Sequence, residues 1–254
     1  MSDMGVAPVA ESSPQGLSQW QRVTNTFTAP SKTFEDIKRG NRSWWLPFVI
    51  VVVAGYILFA AVYFKIGMQQ VVDNQIQLNP KQAEAMAQAP PAQREMSEKI
   101  SLYVTEGVFI ANPILVLIAG AVIALVLWGT INFIFGGKAK FGSVFAVWLF
   151  STLPGLVKVL LGTVVIFAGA APESFNIKNY APTNAGAFLN PLETNKALYA
   201  LATSLDVITI WSLVLLGMGL AIVAGVKRTS GYIAVFGWWI IMVLIGVGAA
   251  AIMG

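Results

Sequence analysis

Cysteine and histidine are both absent from this 254-residue chain, and only 11% of its residues are charged. Without cysteine there are no disulfides and no thiol chemistry, and the sequence gives no indication of the redox compartment. Without histidine the commonest general base and metal ligand at neutral pH is missing, which excludes a Ser–His–Asp hydrolase. The run Gly136-Gly137-Lys138 lacks the strand, the spacing and the hydroxyl of a phosphate-binding loop. We therefore predict a protein that is not an enzyme and that uses no metal or cofactor.

The chain has an excess of apolar surface. Hydrophobic residues make up 56% of it and the mean hydropathy is +0.70, whereas a soluble domain is about 45–50% apolar. Five apolar runs each exceed the roughly 20 residues that cross the hydrocarbon core of a bilayer. They predict an all-α, polytopic membrane protein with five transmembrane helices in a membrane domain, 44–254. The spans are expected at about 44–64, 108–131, 144–168, 198–226 and 232–253.

The segment before the first span divides into two parts. Residues 1–15 are small, polar and contain proline, which predicts a disordered tail. Residues 16–43 are predicted to form a cytoplasmic amphipathic segment of two short helices, because apolar residues recur at helical spacing on both sides of Pro30. Its apolar face is a candidate surface for the membrane interface or a protein partner; the alternative is a helix packed under the spans. The face comprises Leu17, Trp20, Val23, Phe27, Pro30, Phe34 and Ile37.

The distribution of lysine and arginine predicts an orientation. Nine of the sixteen basic residues lie before span 1 or in the short turns after spans 2 and 4. These are Arg22, Lys32, Lys38, Arg39, Arg42, Lys138, Lys140, Lys227 and Arg228. The positive-inside rule puts them in the cytoplasm, so we expect a cytoplasmic N-terminus and an outer C-terminus, in a bacterial cytoplasmic (inner) membrane. Because the basic residues flank apolar runs, the net charge of +4 does not indicate nucleic acid.

Polar residues inside the spans are the candidate site. Lys158 of span 3 and Asp206 of span 4 are estimated at about 15 Å and about 12 Å from the outer boundary, at 1.5 Å per residue. Their similar depth predicts an ion pair, with Asn112 of span 2 as a third member of the polar cluster. One interpretation is an ion pair that sets helix register; the other is a site for a lipid headgroup, a proton or a small solute. A Ser151–Lys158 dyad is the enzymatic alternative.

A resemblance to a known family begins at residue 27. The stretch Phe27-Thr28-Ala29-Pro30-Ser31-Lys32-Thr33-Phe34-Glu35-Asp36-Ile37, followed by Trp44-Trp45-Leu46-Pro47, resembles the entry segment of prokaryotic Ypt-interacting-protein (Yip) family members. Pro154 inside span 3, and Asp206 with Trp211 early in span 4, are similar too. The resemblance implies a five-span fold with a cytoplasmic N-terminus. Eukaryotic relatives bind prenylated Rab-type GTPases in vesicle traffic, and a bacterial cell lacks those partners.

Two functions follow as hypotheses. The first is a non-enzymatic membrane scaffold or interaction protein, which recruits an unidentified protein partner or organises the membrane through the amphipathic segment. The alternative is a lipid-handling protein or a small-solute transporter, or a subunit of one, that uses the Lys158–Asp206 pair. Membrane lipids are partners in either case. Small residues in spans 4 and 5, among them Gly217 and Ala221, allow close helix packing and leave a homo-oligomer open.

Overall fold

The computed structural model describes residues 16–253 of the chain. The predicted disordered tail, residues 1–15, lies outside the described residues. Within them the secondary structure is helical and contains no strand, apart from one isolated bridge between Asn184 and Asp206. Five helical segments are long and apolar enough to cross a membrane, which confirms the predicted all-α, five-span architecture. These segments are Trp45–Lys65, Asn112–Ile134, Phe141–Phe167, Val207–Ala224 and Arg228–Ile252.

Twelve α-helices make up the described fold. They are α1 (Gln19–Thr28), α2 (Pro30–Lys38), α3 (Trp45–Lys65), α4 (Met68–Gln77), α5 (Pro80–Gln88), α6 (Pro91–Ile110), α7 (Asn112–Gly129), α8 (Phe141–Ser151), α9 (Gly155–Phe167), α10 (Lys196–Ser204), α11 (Val207–Ala224) and α12 (Arg228–Met253). A π-helical turn, Thr130–Ile134, extends α7, and three 3₁₀ turns shape the connection between α9 and α10.

Three of the spans are interrupted or begin differently from the sequence prediction. Span 2 begins at Asn112 because the helix breaks there and Pro113, which lacks a backbone N–H, starts the new helix. Span 3 consists of two helices, since Pro154 interrupts the hydrogen-bond ladder between α8 and α9. Span 4 begins at Val207, because Asp206 accepts a hydrogen bond from the N–H of Thr209 and thereby caps α11. Asp206 therefore marks the end of a helix and does not lie inside one.

The bundle is centred on α8. Most of this helix is buried, including Val144, Val147 and Phe150, which are fully enclosed. By contrast, the α12 span is mostly exposed and apolar, which is the surface expected for a helix that faces lipid. Helix α8 lies at the centre because it is surrounded by other helices: it contacts α1, α2, α3, α7 and α11.

The short N-terminal helices form a hairpin that packs into the bundle. Pro30 starts α2, where its fixed φ and missing N–H are tolerated, and α1 and α2 lie against each other. Helix α2 also packs along α11, where a Cβ at Gly219 would lie 2.9 Å from the ring of Phe34 and 2.6 Å from Val147. The ring of Phe27, at the end of α1, meets that of Trp211 edge to face at 5.8 Å. The hairpin thus contacts α11 between Trp211 and Gly219.

Small residues bring α11 and α12 together. A Cβ at Gly231 of α12 would lie 2.8 Å from that of Ala221, and its backbone approaches the carbonyl oxygen of Gly217. The small-xxx-small spacing at Gly217 and Ala221 therefore serves packing between two helices of one chain. A Cβ at Gly246 or Gly248 would meet nothing within 4 Å, so a homo-oligomer through this end of α12 stays a prediction.

Candidate functional site

Lys158 and Asp206 form a buried ion pair between α9 and the start of α11. The ammonium nitrogen of Lys158 lies 2.9 Å from Oδ2 of Asp206, whose side chain is 3% exposed, whereas that of Lys158 is 23% exposed. The hydroxyl of Thr183 donates to the same carboxylate oxygen at 2.6 Å, and the N–H of Thr209 donates to Oδ1 at 2.8 Å. The carboxylate is therefore satisfied by three donors from three different parts of the chain.

The connection between α9 and α10 covers this pair. The Nζ of Lys158 lies 5.7 Å from the centre of the Tyr180 ring, within cation–π range. Tyr180 reaches this position because Gly162 of α9 has no side chain: a Cβ there would overlap the ring. Burial, with a smaller effect of Asp206, raises the pKa of the Tyr180 hydroxyl. Tyr180 therefore covers the pair with a neutral hydroxyl.

Asn112, the third residue that was predicted for this cluster, contacts α3, and its place in the cluster stays a prediction. Its amide packs against Gly55 of α3, where a Cβ would be 2.6 Å from Nδ2. Among residues 16–253 no hydrogen bond joins Asn112 to Lys158 or Asp206. The helix break at Asn112 puts it at the start of α7, and α7 packs mainly against α8.

The arrangement around Lys158 favours a structural role for the ion pair over a binding or catalytic role. An ion pair whose carboxylate already accepts three hydrogen bonds is suited to holding helices in register. Ser151, the proposed nucleophile, is buried and donates to the carbonyl oxygen of Val147 at 2.8 Å. The break at Pro154 separates it from the helix that carries Lys158.

A second buried charged pair, Arg22 and Asp36, holds the base of the hairpin. Arg22 Nε lies 3.8 Å from Oδ2 of Asp36, and the two side chains are 0% and 2% exposed. The guanidinium donates to the carbonyl oxygens of Asn41 and Ser43, each at 2.7 Å, and lies 5.0 Å from the ring centre of Phe150. Burial lowers the pKa of Arg22, and Asp36 partly offsets that effect. An arginine nevertheless stays charged in proteins.

This pair was not predicted from the sequence, where Arg22 was counted only among the basic residues that flank the spans. A usable signal was present, since Arg22, Thr26, Thr33 and Asp36 repeat at the spacing of one helix face on each side of Pro30. The hydroxyls of Thr26 and Thr33 both donate to the carbonyl oxygen of Arg22 at 2.8 Å. The inner face of the hairpin is therefore partly polar.

The residues of the predicted apolar face divide between the inside and the outside of the fold. Val23, Phe34 and Ile37 belong to the buried core. This agrees with the alternative interpretation, in which the segment packs under the spans. Leu17 and Pro30 are half-buried. Trp20 is 65% exposed and Phe27 is 37% exposed. The seven residues thus do not form one continuous surface, and Trp20 is the member most accessible to a partner.

Comparison with known proteins agrees with this architecture. The family model described as Yip1 domain matches residues 24–250, a range that includes most of the N-terminal hairpin and all five spans. No curated protein and no solved structure matches the chain. Because the match covers far more than half of the sequence, this five-span integral membrane protein belongs to the Yip1 domain family.

Proposed function

We propose that this protein is a non-enzymatic membrane scaffold, which recruits a protein partner at the end of the bundle that carries the N-terminal hairpin. The observation that carries this proposal is the exposed Trp20 on a hairpin whose other side is held firmly by Arg22 and Asp36. A large exposed aromatic residue on a rigid support is typical of the anchors that dominate protein interfaces.

Exposed basic residues are concentrated on the hairpin that carries Trp20 and in the two turns after spans 2 and 4. The N–H of Lys138 donates to the carbonyl oxygen of Ala224 at 3.0 Å, which joins the two basic turns. The Cδ of Arg42 lies 3.6 Å from the Cβ position of Gly142, which brings the segment after the hairpin to the same end. Seven basic residues are exposed on the hairpin, next to it and in the two basic turns, and among the described residues of these segments Glu35 is the one exposed acid. The seven are Lys32, Lys38, Arg39, Lys138, Lys140, Lys227 and Arg228.

This charge distribution supports two further parts of the proposal. The basic end faces the cytoplasm of a bacterial cell, so the membrane is the cytoplasmic one and the C-terminus is outside. A partner with an acidic surface is the class that complements this end, because charge complementarity favours association and excludes basic competitors.

The alternative, a lipid-handling protein or a solute transporter that uses the Lys158–Asp206 pair, has weaker support. Asp206 accepts from Lys158, Thr183 and Thr209, and these contacts occupy the carboxylate. A transported ion or solute would have to break several of these hydrogen bonds in each cycle.

The test compares the proteins that co-purify with variants of the full chain from native membranes. In Trp20→Glu combined with Lys38→Glu, the aromatic anchor is lost and the local positive charge is lowered by three units, so we expect specific partners to disappear. Met96→Glu combined with Lys81→Glu makes the same changes at the other end, where Met96 is 60% exposed, and should retain them. The unfolding temperature of each variant controls for damage to the fold.

An unchanged set of co-purifying proteins in the first variant would contradict the scaffold proposal. Loss of the same proteins from both variants would also contradict it, because recruitment would then not depend on the hairpin.

A further inference from the structure

An open cavity of about 340 Å³ lies at the opposite end of the bundle from the N-terminal hairpin. It is enclosed by α4 and the turn into α5, by the 3₁₀ turn Ile177–Asn179, by α10 and by the end of α12 at Ala250. Neither the Lys158–Asp206 pair nor the Arg22–Asp36 pair lines it, so the cavity is separate from the sites described above.

The charge of the cavity wall is positive. Lys178 and Lys196 line it, and no aspartate or glutamate among residues 16–253 does. The Nζ of Lys196 donates to the carbonyl oxygens of Leu78 at 3.3 Å and Pro191 at 2.9 Å, which leaves one of its three protons for another acceptor. The Nζ of Lys178 is exposed and bonds no residue between 16 and 253.

Neutral donors add to this charge. The hydroxyl oxygen of Tyr199 accepts hydrogen bonds from the amides of Asn176 at 3.4 Å and Asn179 at 3.2 Å. Its own proton has no acceptor within the described range, and neither has the side-chain amide of Asn79, whose oxygen caps α5. A cavity with surplus donors and a positive wall suits an anion with several oxygen atoms.

The position of α10 indicates that the cavity meets the membrane surface. One side of this helix lines the cavity with Lys196, Tyr199 and Thr203. Its other side exposes Leu198 and Leu201, which are 54% and 42% accessible. A helix that is apolar on one side and basic or polar on the other lies at the bilayer interface, which is where phospholipid headgroups are found.

We propose that this cavity binds a phosphate group, held by the ammonium groups of Lys178 and Lys196 and by the hydroxyl of Tyr199. Lysine acts on phosphate as a point charge, and several donors match its several oxygens. The phosphate belongs either to an anionic phospholipid headgroup or to a small soluble phosphate compound, which share this chemistry. The exposed leucines of α10 favour the lipid.

The test measures binding to the full chain in detergent, through its unfolding temperature and by titration. The probes are a phosphatidylglycerol, a phosphatidylcholine, oleate and inorganic phosphate. A ligand that binds only the folded state raises the unfolding temperature. We expect phosphatidylglycerol to do so more than phosphatidylcholine or oleate; equal protection by inorganic phosphate would identify the soluble source.

Variants assign the effect to the cavity. Lys178→Gln should weaken phosphatidylglycerol binding about tenfold, since a hydrogen bond to a charged group contributes about that much, and Lys178→Arg should retain binding. Tyr199→Phe removes the hydroxyl proton and should weaken binding as well. Neither change removes the carbonyl contacts of Lys196, so both variants should fold. Lys99→Gln, at the same end, and Lys227→Gln, at the other, are matched controls.

Two results would overturn the proposal. One is the absence of protection by both phosphatidylglycerol and inorganic phosphate. The other is binding by Lys178→Gln and Tyr199→Phe as tight as that of the wild type and the two controls, which would mean that the lipid binds elsewhere.

Discussion

Asn184 donates a hydrogen bond from its side-chain amide to Oδ1 of Asn179 at 2.6 Å. This contact joins the two polar regions at the end of the bundle away from the hairpin. Asn184 pairs with Asp206 through the isolated backbone bridge, and Asn179 donates to Tyr199 in the wall of the cavity. The Lys158–Asp206 pair is therefore connected to the cavity wall through Asn184 and Asn179, although neither Lys158 nor Asp206 lines the cavity.

The ion pair is expected to be a stability element. Asp206→Asn leaves the Lys158 ammonium without its counter-charge, which should destabilise the protein by about 3–5 kcal/mol. Lys158→Met in the same chain removes the stranded charge and should restore part of the loss. Unfolding in detergent, followed by tryptophan fluorescence, measures both. If Asp206→Asn were as stable as the wild type, the structural interpretation would fail and a site that moves a proton or a solute would gain support.

The Arg22–Asp36 pair is expected to hold the N-terminal hairpin in the bundle. Arg22→Met leaves the Asp36 carboxylate short of a buried partner, at a cost of about 3–5 kcal/mol. Amide hydrogen exchange of residues 19–38 should then become much faster. Arg39→Met is the control, because its side chain is 56% exposed and lies 3.6 Å from Asp36; such a contact contributes at most about 1 kcal/mol. Equal exchange rates in the two variants would mean that packing alone holds the hairpin.

The orientation can be measured directly because the chain has no cysteine. We expect Leu192→Cys, in the connection between α9 and α10, to react with a membrane-impermeant maleimide in intact cells. Lys138→Cys, in the turn between α7 and α8, should react only after permeabilisation, because the basic turns are predicted to face the cytoplasm. Both side chains are exposed, Leu192 to 60%. The reverse pattern of labelling would mean that the predicted topology is wrong and that the basic turns face outward.

Several elements were predictable from local sequence because their signals are local. Asn79-Pro80 and Pro90-Pro91 are local helix-start signals, and α5 and α6 begin at Pro80 and Pro91. The number of spans could be predicted from hydropathy, since the length and composition of each segment alone decide whether it can cross the bilayer. Helix α4 was not predicted: Gly67, with φ of +86°, separates it from α3, and its sequence carries no strong start signal.

The site was less predictable, because burial depends on what packs against a helix. The prediction that Lys158 and Asp206 meet came from depth alone and is confirmed, although the depth of Asp206 was counted along a helix that is broken between Ser204 and Val207. The same reasoning included Asn112, although α7 presents it to Gly55 of α3. Nothing in the spacing of Lys178, Lys196 and Tyr199 indicated a cavity, since these residues converge only when the long connections fold together.

By itself the sequence determined the membrane setting, the five spans and the clustering of basic residues on one side, because hydrophobicity and charge act through the local composition of the chain. The tertiary structure decided which polar groups are enclosed. Arg22 was grouped with the basic residues that flank the spans, yet it is fully buried, because Asp36, Asn41 and Ser43 converge on it. A charged group can be buried only where several partners from separate segments compensate its lost hydration, and no single stretch of sequence contains them.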